Sequence, residues 1–169
     1  MHTQYKTITW EQRKLDEIAQ RLDNLRIPIA ESKRTKGSTP YYGANGIQDY
    51  VDGFTHDGEN LLIAEDGAND LKNYPVCYTK GKIWVNNHAH VLKSNEDCNL
   101  LFLKYAFSTI NMESVIVGGS RSKLNANTLM NLSLFISNKT EQKTIGEFFY
   151  SLDNLITLHQ RKLSLTKGR

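Results

Sequence analysis

The chain has 169 residues, of which 39% are hydrophobic and 23% are charged, and its formal net charge is +3. This length suits one compact domain with or without an appended segment, and the longest apolar runs, such as residues 61–64, are too short to cross a membrane. The N-terminus lacks an apolar signal-peptide core, so we expect a cytoplasmic protein, and the mild positive charge permits a nucleic-acid partner without requiring one.

The N-terminal part predicts a short helix or an extended entry segment, followed by a polar loop. Apolar residues recur between Trp10 and Leu22, and Pro28 ends any helix before it because the residue ahead of a proline avoids the α region. Residues 31–39 carry three cations among small polar side chains, which is typical of an exposed loop.

The middle of the chain predicts short strands separated by turns. The turn sequences lie at residues 43–46, 52–53 and 66–67, and the strand-like pieces lie at residues 59–64, 75–78, 83–85 and 90–92. Their irregular spacing favours a mixed, curved sheet over a repeating sandwich. A buried helix is predicted at residues 100–107, and residues 129–136 predict a short strand that leads into the final helix.

The last thirty residues predict one long helix with an apolar face. Apolar residues recur at alternating spacings of four and three, and such spacing brings them to one side because a helical turn takes 3.6 residues. Asn138 and Thr140 are candidate N-caps, whereas Gly146 costs the first turn about 1 kcal/mol relative to alanine. Residues 140–167 would extend over roughly 40 Å. The predicted helix interface consists of Ile145, Phe148, Phe149, Leu152, Leu155, Ile156, His159 and Leu163.

A narrow apolar face on so long a helix favours a partner helix, from the same protein or from another chain. The alternative is a terminal helix that lies over its own domain. We interpret His159 as a spacer in the helix contact, because no second histidine, cysteine or carboxylate accompanies it at ligand spacing.

Motifs for catalysis are absent or ambiguous. The sequence contains neither GxxxxGK[ST] nor GxGxxG, and it lacks the adjacent prolines expected of an adenine methyltransferase. Glu65 and Asp66 are neighbouring acids at a strand end and form the best candidate for a metal site, although an Asp-Gly turn explains Asp66 equally well. Cys77 and Cys98 stand alone, which disfavours a zinc site or a disulfide framework. We therefore expect no metal and no catalysis on this chain.

Three polar clusters indicate a nucleic-acid-binding surface. Each combines lysine or arginine with hydroxyl, amide or aromatic groups, and such groups contact phosphates and base edges. A single cluster of this kind favours a solvated loop. With three such clusters in one small domain, DNA binding and solvated loops are about equally supported. Without a third ligand, His88 and His90 are interpreted as hydrogen-bonding residues. The candidate DNA-binding residues are Ser120, Arg121, Ser122, Lys123 and Asn125, then Lys33, Arg34, Lys36, Tyr41, Tyr42 and Asn45, and finally Lys82 and His88.

An ordered set of sequence tracts resembles a known family. The tracts are WEQRKL at residues 10–15, PYYGANG at 40–46, EDGA at 65–68, WVNNHAH at 84–90, RSKLN at 121–125 and the helix from 141 to 163. Together they resemble the specificity subunit of type I restriction-modification systems over nearly the whole chain.

The resemblance implies an α+β protein that reads double-stranded DNA and is not itself an enzyme. Residues 1–137 would form a target recognition domain with a mixed, curved sheet and short helices. Residues 138–169 would form a conserved-region helix that packs as an antiparallel coiled coil. Full-length members carry two such units and this chain carries one, so we hypothesise a homodimer through the helix that reads a palindromic split site.

The resemblance also implies partner proteins. Methyltransferase subunits would dock beside the helix and methylate adenine, and a restriction subunit would join the complex for cleavage. S-adenosylmethionine, ATP and magnesium are therefore expected on the partner subunits only. The alternatives are a helix-mediated adaptor that binds no DNA, and a metal-dependent nuclease built around Glu65 and Asp66.

Overall fold

The computed structural model describes residues 9–116 and 123–167, which form an α+β domain and a long C-terminal helix. The strands in these ranges are β1 (Glu11–Lys14), β2 (Ala19–Arg21), β3 (Lys36–Gly43), β4 (Gly46–Val51), β5 (Glu59–Ala64), β6 (Val76–Lys80), β7 (Trp84–Val85), β8 (Ala89–Ser94) and β9 (Ser133–Ile136). The helices are α1 (Leu15–Ile18), α2 (Leu100–Ala106), α3 (Met112–Val115), α4 (Ala126–Met130) and α5 (Lys139–Lys167).

The strands form three small sheets. The largest has the order β2-β8-β5-β6 and is antiparallel throughout. In the second, the β3–β4 hairpin is extended by β7, which runs parallel to β3. In the third, β1 pairs with β9, so that the start of the domain meets the strand before α5. The predicted α+β class with a mixed sheet and a long terminal helix is confirmed.

Both faces of the central strand β5 are covered by apolar side chains. Leu61 and Ile63 belong to the main core, which includes Leu15 and Leu103 of the helices. Leu62, between them, belongs to a second cluster on the other face of the strand. A strand that is buried on both faces reads as a continuous apolar run, which explains the sequence pattern at residues 61–64.

Two segments differ from the sequence expectation. The entry segment is neither a single helix nor a single extended piece, because it contains β1, one turn of helix in α1 and then β2. The polar stretch predicted as an exposed loop supplies the first half of β3. Lys36 and Thr39 both pair with Val51, so a bulge interrupts the register there. This half of β3 contains glycine, serine and a bulge, so its sequence shows no alternation of apolar and polar residues. It is a strand because it pairs with β4.

The first half of α5 is anchored to the domain. Asn138 caps the helix, since its Oδ1 accepts a hydrogen bond of 3.1 Å from the Glu141 nitrogen. Gln142 is fully buried, and its amide accepts a bond from the Asn99 nitrogen at 2.9 Å and donates one to the Ser137 carbonyl at 2.8 Å. Gly146 lies so close to α2 that a Cβ there would be 2.7 Å from the Phe102 nitrogen. These contacts fix the direction in which α5 leaves the domain.

The second half of α5 extends away from the domain. The last contacts with α2 include the bond of 2.7 Å between Lys104 and Asp153, and from Asn154 to Leu165 every side chain is exposed. The helix therefore lies over its own domain in its first half only. None of the helices in the described ranges has the length and apolarity that a membrane span requires.

We expect Gly146→Ala to destabilise the protein although alanine is the better helix former. The atoms that the new methyl group meets first belong to the backbone of Leu101 and Phe102, which cannot move aside as a side chain would. Urea denaturation should show a loss of roughly 1–3 kcal/mol in the free energy of unfolding.

The matched control is Asn154→Ala, at an exposed position of the same helix. Its expected effect is a gain of a few tenths of a kcal/mol or none, from helix propensity alone. Equal behaviour of the two variants would contradict the close contact between α5 and α2.

Candidate nucleic-acid interface

A buried network of charged side chains joins segments that are distant in sequence. The side chain of Asp23 is 4% exposed and accepts hydrogen bonds from Arg21 Nη1 at 2.7 Å, His90 Nδ1 at 2.7 Å and the Val91 nitrogen at 2.8 Å. Burial by itself would raise the pKa of Asp23, but these donors lower the pKa to about 2. The carboxylate is thus held in its charged form inside the domain.

Glu65 is the second acid of this network. Arg26 Nη1 donates to Glu65 Oε2 at 2.6 Å, and Lys123 Nζ lies 2.8 Å from Glu65 Oε1. Burial opposes ionisation of Glu65, yet the hydrogen bonds from Lys123 and Arg26 keep its pKa below the ordinary value. The hydrogen bond and the charge of Glu65 in turn raise the pKa of Lys123.

The network also anchors the backbone next to Lys123. The Leu124 nitrogen donates to the Glu65 carbonyl at 2.7 Å, and the Leu124 carbonyl accepts a bond of 2.8 Å from His90 Nε2. Because a carbonyl can only accept, the proton of that bond is on Nε2 of His90. The position of the backbone at Leu124 is therefore fixed by Glu65 and His90 of the network.

The spacing of three of these side chains would suit a metal ion, but their partners leave no place for one. Candidate ligand atoms of Asp23, Glu65 and His90 lie within 4.8 Å of one another. The guanidinium of Arg26 is 2.6 Å from Glu65 and 3.5 Å from Asp23, so it already supplies the positive charge. Asp66 turns away from Glu65 and pairs with His88 Nδ1. This geometry gives no support to a metal site built on Glu65 and Asp66.

Three of the candidate DNA-binding residues gather around the turn at Gly67. Asn45 Nδ2 donates to the Gly67 carbonyl at 2.8 Å, His88 pairs with the preceding Asp66, and Lys123 pairs with Glu65. We call Asn45, His88 and Lys123 the turn cluster. Each of the three residues comes from a different polar cluster of the sequence. Their separation along the chain did not indicate that they would lie close together.

Three other candidates lie toward the opposite end of β3. Lys36 is exposed at the start of this strand, and Lys33 is exposed three residues before it. The Lys82 ammonium lies 4.6 Å from the centre of the Phe54 ring. We call Lys33, Lys36 and Lys82 the strand-start cluster. Since β3 has eight residues, its two ends are roughly 20 Å apart. The structure thus divides the predicted contacts into two groups.

Two of the candidate DNA-binding residues, Tyr41 and Arg34, pack against the β3–β4 hairpin and the segment before it. Tyr41 is 1% exposed, its hydroxyl accepts a bond of 3.0 Å from the Ile29 nitrogen, and Arg34 stacks on its ring at 4.3 Å. Arg34 also bonds to Asp49 at 3.3 Å and to the Ile29 carbonyl at 3.2 Å. The ring of Tyr41 is buried and the guanidinium of Arg34 bonds to Asp49 and to the Ile29 carbonyl, so both residues hold the β3–β4 hairpin. Their assignment to DNA contact stays a prediction.

The remaining candidates of the recognition domain are only partly described. Tyr42 is half-buried, and burial raises the pKa of its hydroxyl to about 12. Asn125 is exposed directly before α4. Ser120, Arg121 and Ser122 lie outside the described residues, and their assignment to DNA contact stays a prediction.

The residues of the predicted helix interface fall into two groups, because only the first half of α5 is anchored to the domain. Ile145 packs against the main core, and the ring of Phe149 lies 5.2 Å from that of Tyr105, so these two serve their own domain. Phe148 and Leu152 are exposed, as are the four positions beyond them, Leu155, Ile156, His159 and Leu163. This second group is exposed to solvent, whereas Ile145 and Phe149 contact their own domain.

Comparison with known proteins relates these features to a family. Residues 7–166 match the family described as type I restriction modification DNA specificity domain. A type I restriction enzyme specificity subunit of Haemophilus influenzae is 41% identical over 145 residues, which are 86% of this chain and 38% of that protein. The EcoprrI specificity subunit of Escherichia coli is 28% identical over 127 residues, which are 75% of this chain and 31% of that protein.

A solved structure gives the same result for the fold. The type I restriction-modification S subunit from M. genitalium superposes with a TM-score of 0.73 and 16% identity, over 90% of this chain and 41% of that one. This chain therefore spans between 31% and 41% of the length of these relatives.

We expect Asp23→Asn to remove part of the pH dependence of folding. A carboxyl whose pKa is lower in the folded state stabilises the fold above its ordinary pKa of 3.8, and this contribution is lost as the pH falls toward 2. Chemical denaturation should therefore show Asp23→Asn to be less stable than the unmodified chain at pH 7. The difference between the two should shrink between pH 4 and pH 2.

Asp16→Asn, at an exposed carboxylate, is the control and should change stability little at any of these pH values. A constant difference between Asp23→Asn and the unmodified chain from pH 7 to pH 2 would show that Asp23 does not titrate as proposed.

Proposed function

The chain belongs to the type I restriction modification DNA specificity domain family, and from this membership we propose that it recognises a specific sequence in double-stranded DNA. The observation that carries the proposal is the family match over residues 7–166, which includes the recognition domain and nearly all of α5. The surface chemistry is compatible with it, because exposed lysines, amides and an imidazole lie at both ends of β3.

The separation of the two clusters suits a duplex. A distance of roughly 20 Å corresponds to about six base pairs at 3.4 Å each. The turn cluster contributes Asn45, His88 and Lys123, and residues 120–122 are joined directly to Lys123. The strand-start cluster adds three ammonium groups, which suit phosphates. We propose that the turn cluster lies nearer the bases, since Arg121 precedes Lys123 by two residues and arginine is a side chain that pairs with guanine edges.

The chain acts, in this proposal, within a larger cytoplasmic complex. Methyltransferase subunits would carry S-adenosylmethionine and methylate adenine beside the recognised sequence, and a restriction subunit would carry ATP and magnesium for cleavage. The exposed half of α5 supports such docking, because it presents Leu155, Ile156 and Leu163 to solvent along one face. An exposed apolar face of this kind marks an interaction site.

The same face supports pairing of two copies of this chain. A two-fold pair through α5 would supply two recognition domains and would read a palindromic split site. The adaptor alternative shares the helix surface but not the DNA, so the salt dependence of DNA binding separates the two. Phosphate contacts make the affinity fall steeply with salt, and an adaptor would show no such binding.

For DNA binding, the informative variant is Arg121→Ala, measured by fluorescence anisotropy with duplexes enriched from a random pool by the unmodified chain. If Arg121 pairs with guanine, the variant should lose about 1–3 kcal/mol in binding free energy and discriminate less at that base. Arg13→Ala is the control, because Arg13 is engaged with Glu11 and Glu17 on β1 and α1. Unchanged affinity and selectivity of Arg121→Ala would remove Arg121 from the interface.

For self-association, Leu155→Asp places a charge in the exposed apolar face of α5, where Leu155 is 63% exposed. Sedimentation velocity should show a dimer of the unmodified chain. The variant should raise the dissociation constant of this dimer at least about tenfold, which corresponds to 1.4 kcal/mol. Thr157→Asp is the control at an exposed position outside the predicted interface. A monomeric unmodified chain with an intact helix by circular dichroism would contradict pairing.

A further inference from the structure

The imidazole of His88 is held in one orientation at the turn cluster. The backbone nitrogen of His88 donates to Asn86 Oδ1 at 2.8 Å, and its carbonyl accepts a bond of 2.9 Å from the Glu65 nitrogen. The ring nitrogen Nδ1 pairs with Asp66 Oδ1. Because the backbone is bonded on both sides and the ring is bonded at Nδ1, the second ring nitrogen, Nε2, has a defined position.

The acid that holds this ring belongs to a turn that is itself fixed. Asp66 pairs with Lys123 in an antiparallel β-bridge. The amide of Asn45 ties down the residues after Asp66, since Nδ2 donates to the Gly67 carbonyl at 2.8 Å and Oδ1 accepts from the Asn69 nitrogen at 3.0 Å. The carboxylate of Asp66 is therefore presented to the ring from a backbone that is bonded before and after it.

The carboxylate also decides which ring nitrogen carries the proton when the imidazole is neutral. An ionised carboxylate can only accept a hydrogen bond, so the proton shared with Asp66 belongs to Nδ1 of His88. The other nitrogen, Nε2, then carries a lone pair and is an acceptor. Within residues 9–116 and 123–167 no group bonds to Nε2, and the side chain of His88 is 47% exposed. The ring thus offers an oriented acceptor to solvent.

We propose that Asp66 makes His88 a specificity-determining residue, whose Nε2 accepts a hydrogen bond from the exocyclic amino group of adenine or cytosine. The inference rests on the DNA recognition proposed above and names the chemical group that this residue reads. Asp66 touches no DNA in this arrangement and is a positioning residue that acts through His88. The neighbouring acids at positions 65 and 66 then have a role that requires no metal.

An acceptor at Nε2 excludes most of the groups that a duplex presents. Phosphate oxygens are acceptors, as are N7 and O6 of guanine and O4 of thymine, so none of them can donate to the neutral ring. The donors in the major groove are the amino groups at N6 of adenine and N4 of cytosine. A ring with its proton on Nδ1 therefore selects these two bases and leaves phosphate contacts to the lysines.

The charge of Asp66 distinguishes this role from a purely structural one. The side chain of Asp66 is 38% exposed, and an acid near a duplex repels the phosphates. If Asp66 only held the turn, its removal would leave DNA binding unchanged or strengthen it. If Asp66 orients a ring that reads a base, its removal weakens binding to the recognised sequence and not to others. The two roles predict opposite signs for the same variant.

The position of the proton is tested by nitrogen NMR of the free chain in mildly alkaline buffer. Protonated and unprotonated ring nitrogens differ widely in chemical shift, and His88→Gln identifies the His88 signals among the five histidines. We expect the proton on Nδ1 of His88 in the unmodified chain. In Asp66→Ala it should move largely to Nε2, the form that a free histidine ring prefers. A proton on Nε2 in the unmodified chain would overturn the inference.

The effect on recognition is tested by anisotropy with the duplex that the unmodified chain enriches from a random pool. Asp66→Ala and His88→Ala should each weaken binding to this duplex roughly five- to hundredfold, because a donor on the base loses its acceptor. Binding of Asp66→Ala to an unrelated duplex should stay the same or tighten. The double variant should be no weaker than His88→Ala alone, since Asp66 acts through His88.

The matched control is Asp16→Ala, which removes an exposed acid on α1 and should not weaken binding to the enriched duplex. Losses that add in the double variant would show that Asp66 does not act through His88. Tighter binding of Asp66→Ala to the enriched duplex would show that Asp66 is only a repelling charge. Either result would overturn the inference.

Base analogues test the amino group itself. At the base pair where His88→Ala loses discrimination, purine replaces adenine, or 2-pyrimidinone replaces cytosine, and the amino group is absent. The unmodified chain should lose the same factor in affinity that His88→Ala loses, and His88→Ala should lose nothing further. Full affinity of the unmodified chain for the analogue, or a base pair with guanine and thymine as the preferred bases on both strands, would contradict an acceptor at Nε2.

The outcomes separate this inference from the proposed function. A chain that prefers no duplex over any other would overturn DNA recognition, and with it the role of His88, whichever nitrogen carries the proton. A chain that binds its enriched duplex equally well with Asp66→Ala or His88→Ala would overturn the role of this pair and leave DNA recognition intact.

Discussion

The structure depends on the contact between the base of α5 and the first turn of α2. Gln142 is buried there with both ends of its amide bonded to backbone, and Gly146 lets the two helices approach to a distance that no side chain would allow. A helix held at two successive turns has one direction in space relative to its domain. The exposed half continues this helix, so the core sets its direction. Every proposal about partners of α5 relies on that direction.

The charge network plays a comparable part inside the recognition domain. Two buried carboxylates are costly to desolvate, and the network offsets this cost with Arg21, Arg26, Lys123 and hydrogen bonds from backbone. An apolar cluster of the same size would hold the segments together with less precision, because dispersion and hydrophobic contacts have no direction. Directional bonds to Leu124 place the segment after residues 117–122 at a defined position. Recognition of a sequence requires that kind of definition, since base edges are distinguished by atoms a few ångströms apart.

The sequence revealed features that are local and missed features that depend on distant residues. The helical face of α5, its N-cap at Asn138 and a strand at residues 59–64 all follow from sequence patterns within a short stretch of chain. The network could not be found in this way, because its members lie at positions 23, 26, 65, 90 and 123 and no local pattern in the sequence relates one of them to another. Tyr41 and Arg34 were assigned to DNA contact because they stand beside lysines in sequence. Folding buries the tyrosine ring and uses the guanidinium to hold the hairpin.

The length of α5 has a consequence for how two recognition domains would address one duplex. If two copies pair about an axis near Leu155, their anchoring residues Gln142 lie thirteen residues on either side of that axis, or about 40 Å apart. One turn of B-DNA is about 34–36 Å, so the two domains would meet the duplex about one turn apart and on the same side of it. The distance between the halves of a split site would then be set by the length of α5. The contacts of Gln142 and Gly146 with the domain would set the direction of the helix. The chemistry of the recognition loops would decide which bases are read, and the helix would decide how far apart they stand.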